Sequence, residues 1–218
     1  MINSQTNLKL WIITGIICGI LADIVYILAT TISITPTINN LLFFSFGPFL
    51  IIAVIGIYAM LCQQGETVAR QLGTLFLILS GVTHTIMATM QGAIRSVMSG
   101  YLSGADTVAE KDLFRNIYRG VFSTQAGVDM AFDIFISIGV ILIAYSMWQH
   151  TNFGKVVSLL GVMIGSTGLL FNLIAFPDNA ANVGLIDPGP FFGAWFLVIV
   201  IQMGYFLKTS PQFKNPTN

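Results

Sequence analysis

The sequence predicts an all-α integral membrane bundle of six transmembrane helices, with an amphipathic helix in a long outer loop. Three observations predict it. First, 55% of the 218 residues are hydrophobic and only 8% are charged, against about 25% charged in a soluble domain. Too few charges remain to cover a water-facing surface, so most of it must face lipid. Second, six apolar segments reach the ~20 residues a helix needs to span the hydrocarbon: roughly 10–31, 41–61, 71–95, 122–148, 156–176 and 190–207. Third, these runs are too long, and alternate too little, for barrel strands. The whole chain, 1–218, is expected to form one transmembrane domain.

The first segment follows Lys9 and carries Asp23. It is too long for a signal-peptide core, and no small-x-small cleavage site comes after it, so it is expected to be a retained span. It contains GIICG, in which Gly15 and Gly19 let another helix approach closely. The second segment contains GPF at Gly47–Phe49. The third carries His84, Gln91 and Arg95 at spacings of seven and four, which place them on one stripe of a helix.

Between the third and fourth spans, 96–121 is the longest polar connection. Thr107 followed by Glu110 fits a capping box opening a helix through TVAEKDLFRNIYRG. Val108, Phe114, Ile117 and Tyr118 would be its apolar side, with Arg115 and Arg119 on another. Such a helix either rests at the membrane interface or covers an outward-facing cavity.

The fourth segment, GVDMAFDIFISIGVILIAYSMW, places Asp129 and Asp133 on one helical face. The fifth contains GVMIG, with Gly161 and Gly165, and ends near Asn172. In FPDNAANVGLIDPGPF, Asp187-Pro188-Gly189-Pro190 suits a tight turn into the sixth helix. Asp178 and Asp187 are read there chiefly as turn and cap residues, with the rim of a cavity as the alternative. The second GPF, Gly189–Phe191, raises an internal repeat in which helices one and two echo helices five and six.

Depth at ~1.5 Å per residue puts Asp23, His84 and Asp133 near mid-membrane. Asp129 and Asn172 fall in the outer half and Arg95 near the outer surface. An Asp at mid-span costs ~2.5–3.5 kcal/mol on the insertion scale. These groups are therefore expected to turn inward, paired, hydrated or protonated. Arg95 is the natural partner for Asp129. The expected ligand- or proton-binding set is Asp23, His84, Gln91, Arg95, Asp129, Asp133 and Asn172.

Orientation is set by Lys and Arg in the connections. With both termini cytoplasmic, Lys9, Arg70, Lys155, Lys208 and Lys214 lie inside and Lys111, Arg115 and Arg119 outside. Trp11, Tyr58, Trp148 and Tyr205 would anchor the inner interface. The expected location is the cell membrane, multi-pass.

Several classes lack a signature. Net charge is zero with no basic run, so nucleic-acid binding has no electrostatic footprint. No GxSxG elbow, Walker loop or dinucleotide fingerprint is present. Cys18 and Cys62 form no CxxC and are expected as free thiols. No cofactor is expected. WIITGIICGILADIVYILA, the segment from Gly127 to Trp148 and GLIDPGPFFGAWFLVIV together resemble small multi-pass bacterial membrane proteins of the domain-of-unknown-function type. That resemblance implies a six-helix bacterial inner-membrane protein and brings no catalytic residues.

The sequence thus leads to an intramembrane polar cavity open to the outer side, serving small-molecule or proton-linked binding or transport. The partners would be the lipid bilayer and a small molecule or proton. The alternative is a non-catalytic membrane subunit or scaffold that uses Gly15, Gly19, Gly161 and Gly165 for helix association. A third reading is an intramembrane metal-dependent hydrolase built on His84, Asp23 and Asp133.

Overall fold

The computed structural model describes residues 4–32, 35–178 and 180–210, and Lys214 lies outside them. Six α-helices succeed one another in order: α1 (Ser4–Thr31), α2 (Pro36–Leu61), α3 (Val68–Gly104), α4 (Val108–Met147), α5 (Gly154–Ala175) and α6 (Gly189–Thr209). All six are long and apolar enough to cross a membrane. Short 3-10 turns at Cys62–Gln64 and Ala180–Val183 lead into the α2–α3 and α5–α6 connections. Each helix packs on the next, and α6 returns onto α1, which closes the bundle into a ring.

The helix starts obey local chemistry. Pro36 and Pro190 occupy the first turns of α2 and α6, where a missing N–H costs nothing. Asp187 Oδ1 accepts from the Gly189 N–H at 2.9 Å, fixing the predicted turn. The Thr107–Glu110 capping box is fully formed at the head of α4.

Beyond that cap the chain departs from the expectation. Residues 108–121 are not a separate helix lying at the interface. They are continuous with α4, while 96–104 continue α3. At ~1.5 Å per residue, α3 (37 residues) and α4 (40 residues) reach ~55 and ~60 Å. That exceeds the ~30 Å hydrocarbon core, so the pair projects as a helical hairpin. Neither Gly104 nor Gly120 has a neighbour within 4 Å of an added Cβ. Gly120 inside a helix costs ~1 kcal/mol. Packing against α3 offsets it, with Tyr101 stacked on Phe114 at 5.2 Å between centroids. Phe114 and Tyr118 are half-buried, whereas Val108 and Ile117 stay exposed.

Lipid gives helices no hydrophobic reason to associate, so close packing must hold them. All four motif glycines serve that end within the chain. A Cβ on Gly15 would meet Gly56 Cα of α2 at 2.6 Å. One on Gly19 would meet Val200 of α6 at 2.6 Å. Gly161 lies under the Trp195 ring and Gly165 against Ser137 and Ile141 of α4. These faces are thus occupied internally and are not free for a partner. The two GPF copies also differ in register, one in the middle of α2 and the other at the start of α6. The internal repeat is not supported.

The half of the bundle near the start of α1 and the end of α6 is solid. Ile12, Ile57, Met60, Leu61, Ile143, Met147, Ile199 and Met203 are all 0–1% exposed there. Trp11, Trp148 and Tyr205 ring the same end, exposed, as interfacial aromatics do. A polar knot caps this end. Arg70 is buried and its Nη1 donates to the Gly65 carbonyl. Gln64 Nε2 donates to Thr151 at 2.7 Å, tying the α2–α3 turn to the α4–α5 turn. His150, 2% exposed, accepts from the Asn152 N–H at Nδ1. Burial first, and the Arg70 charge second, push its pKa down from 6.5 to about 4, against the pull of the Met60 carbonyl.

Both the glycine crossing and the knot can be tested. Gly56→Leu forces backbone apart at the α1–α2 crossing and lowers stability by the upper end of ~1–3 kcal/mol, read as a fall in the melting temperature of the detergent-solubilised protein. For His150, the unfolded chain takes up a proton below 6.5 that the fold refuses until about 4. Stability therefore falls as pH drops through that window and levels off beneath it. Melts between about pH 7 and about pH 4.5 should show a smaller drop for His150→Gln than for the parent, and parallel curves would refute the assignment.

Candidate functional site

The other half of the bundle is hollow. A cavity of about 310 Å³ is lined by residues from all six helices. Helical periodicity puts its side chains in ladders. On α4, Asp129, Asp133, Ile136 and Val140 descend one face; eleven residues at ~1.5 Å make it ~16 Å deep. On α3 the ladder is Leu77, His84, Met87 and Gln91. On α1 it is Asp23, Tyr26 and Thr30. Asn172 comes from α5, and Phe192, Trp195 and Phe196 from α6. Thr30 and Asp187 are exposed lining residues, so they mark the mouth.

A second cavity of about 240 Å³ adjoins the first and shares Gln91, Asp129, Asp133 and Asn172 with it. Its further walls include Gln125, Asp178 and Asn182. The acids of α4 therefore stand where a polar vestibule meets a deeper chamber. That chamber is floored by Leu50, Leu77 and Val140 and walled by Phe43, Phe46, Phe132, Phe192, Trp195 and Phe196.

Charge in this space is one-sided. Among the described residues, four aspartates line the first cavity and no lysine or arginine lines either one. Asp129, Asp133 and Asp187 line the same cavity, and Asp129 lies one helical turn from Asp133. Residues one turn apart have Cβ atoms ~5–6 Å apart. If both α4 acids are ionised, their repulsion is about 3 kcal/mol at an effective dielectric of ~20. Asp23 Oδ2 is buried without a hydrogen-bond partner, and its Oδ1 faces Gly193 of α6.

His84 is 2% exposed and packed by Phe46 at 4.5 Å, Phe132 at 5.3 Å and Phe43 at 6.5 Å between ring centroids. The Phe43 carbonyl is close, yet neither ring nitrogen completes a hydrogen bond of good geometry. Gln125, 1% exposed, leaves its Nε2 unpartnered beside the vestibule.

Of the seven side chains expected at the site, Asp23, His84, Gln91, Asp129, Asp133 and Asn172 line the cavity. Arg95 does not. It is exposed on α3 and makes no ion pair with Asp129. It lies one helical turn beyond Gln91, the last α3 residue that lines either cavity. No residue of 96–121 lines either cavity, so the projecting hairpin is not a lid over them. His84, Asp23 and Asp133 do not gather as a metal-ligand group, and no such group of three occurs among the described residues. The metal-dependent hydrolase reading loses its donor set.

Sequence reasoning missed the aromatic wall, Tyr26 and Gln125. Tyr26 is legible in retrospect, three residues from Asp23 on the same helical face. Asp187 caps the turn and rims the cavity at once. The chain matches no family model, no curated protein and no solved structure.

Because Arg95 is exposed and unpaired with Asp129, Arg95→Gln should shift stability by no more than about 0.5 kcal/mol. A loss of about 2 kcal/mol or more in a denaturation series would restore the pair.

Proposed function

We propose that this protein binds a small solute in the acid-lined cavity, with Asp23 and Asp133 as the proton or cation acceptors. The observation that carries the reading is the hollow half of the bundle. Three span aspartates from two helices turn into one void that no lysine or arginine among the described residues lines. A purely structural role would pair them, since an unpaired buried charge is expensive. The solid apolar half beneath the chamber closes the far side, so the arrangement favours a binding site reached from one face. Passage across the bilayer would require the Gly15–Gly56 and Gly161–Trp195 contacts to separate. The Lys and Arg distribution favours the mouth facing outward and the termini facing the cytoplasm.

A second reading has its own observation. The projecting α3–α4 hairpin exposes Val97, Val108, Leu113 and Ile117. An apolar set outside the hydrocarbon suits a membrane subunit that docks a partner protein there.

The test of the first reading is side-chain accessibility. In a Cys18→Ala/Cys62→Ala background, Ile136→Cys on the cavity wall should react with a small membrane-impermeant methanethiosulfonate. Leu170→Cys, 55% exposed on the outer face of α5, should stay unreactive in lipid. Labelling in right-side-out vesicles places the mouth outside. A silent Ile136→Cys would remove the binding-site reading and leave the docking hairpin.

A further inference from the structure

Building on the cavity as a binding site, we propose that its ligand is an organic ammonium: an amine carrying at least one N–H on a compact apolar body. Four features of the cavity select this chemistry. Its carboxylates face no lysine or arginine among the described residues, which repels anions and favours a cation. Those carboxylates are spread over α1, α4 and the loop before α6, and no three acid or histidine side chains among the described residues gather tightly enough to hold a metal ion. Dispersed acids suit a larger cation with several donor directions better than a compact inorganic one, which needs a close oxygen cage.

His84 adds an independent pointer. Its ring is buried against the cavity wall, and neither nitrogen has a hydrogen-bond partner of good geometry. A neutral imidazole offers one acceptor nitrogen, which an ammonium N–H satisfies. Asp23 Oδ2, also buried and unpartnered, is a second acceptor for the same head group. Aromatic faces complete the selection. Phe46 and Phe132 flank His84, and Trp195 closes the α6 side. Ring faces attract cations and pack apolar bodies equally well.

The vertical order sets the pose. Asp129 and Asp133 stand at the junction with the vestibule, while the floor is apolar. An amphiphilic amine fits with its nitrogen at the level of Asp133 and Asp23 and its apolar body directed to the floor. Its charge would relieve the repulsion between the two α4 carboxylates, which gives binding an electrostatic drive that a neutral molecule lacks.

Trp195 supplies the readout, because the other two tryptophans, Trp11 and Trp148, are exposed at the far end of the bundle. A Trp11→Phe/Trp148→Phe protein in nanodiscs would be titrated with 2-phenylethylamine, 2-phenylethanol, 3-phenylpropionate, phenyltrimethylammonium and sodium chloride. The amine should change Trp195 emission saturably and bind at least about tenfold more tightly than the alcohol, a ratio worth ~1.4 kcal/mol. Asp133→Asn and Asp23→Asn should each weaken the amine by about tenfold or more without lowering the melting temperature. His84→Phe should weaken it, and His84→Gln, which keeps an acceptor, should weaken it less. Equal binding of amine and alcohol, or aspartate variants that bind like the parent, would overturn the assignment. Phenyltrimethylammonium binding as tightly as the amine would overturn the N–H requirement. Ile136→Cys labelling read on the same protein separates the two levels. Labelling without amine binding rejects the ligand class and keeps the site, whereas no labelling rejects the site itself.

Discussion

A carboxylate cannot be left facing acyl chains, and that single constraint sets the rotation of the helices that bear one. Exposure at mid-span costs ~2.5–3.5 kcal/mol each, a serious fraction of a typical ~5–15 kcal/mol of stability. Asp23 turns inward on α1, while the adjoining flank with Ile17, Ile20, Ile24 and Ile27 is left to lipid. Asp129 and Asp133 do the same for α4. Once those faces point inward, the helical period brings Tyr26, Ile136 and Val140 with them. The chamber's chemistry is a consequence of where charge is forbidden.

Turning acids inward does not by itself make a void. The void lies where large side chains, rather than backbone, face one another across the bundle. Gly15 on Gly56, Gly73 against Ile143 and Gly161 under Trp195 draw the backbones together toward the end that holds the start of α1. Beyond them, large rings stand between helices. Phe43, Phe46 and Phe132 surround His84, and Phe192 and Phe196 line the chamber from α6. Glycines also draw helices together at the chamber level, as at Gly47 against Gly81, so the rings rather than a lack of close contacts mark the hollow half. The knot of Arg70, His150, Gln64 and Thr151 then closes the solid end, with hydrogen bonds inside each turn and one, from Gln64 to Thr151, between them.

Much of this was legible residue by residue. Six long apolar runs have one stable solution in lipid, because each helix satisfies its own backbone. Spacings of seven and four put His84 and Gln91 on a common stripe, and four put Asp129 above Asp133. Arg95 lies on that stripe too, yet sits apart from the acids. Spacing along one helix fixes direction, not the height of a neighbouring helix. The long loop misled for a related reason. A capping box marks where a helix begins, not where it ends, and continuation was decided by packing on α3. The aromatic wall was hidden because phenylalanines in an apolar run carry no mark of which way they face. Nothing in the sequence marks His150 as buried, because its burial depends on a turn from elsewhere in the chain.

By itself, the sequence determined the class of object, the six helices, the start of α4 and which side chains are too costly to expose. Those are local quantities, set by hydropathy, capping chemistry and the energetic penalty on charge in hydrocarbon. Only the tertiary structure decided that Asp23, His84, Asp129 and Asp133 share one chamber, that Arg95 is excluded from it, and that no countercharge among the described residues enters. Those are relations between helices, fixed by glycine contacts and ring packing whose partners lie tens of residues apart in the chain.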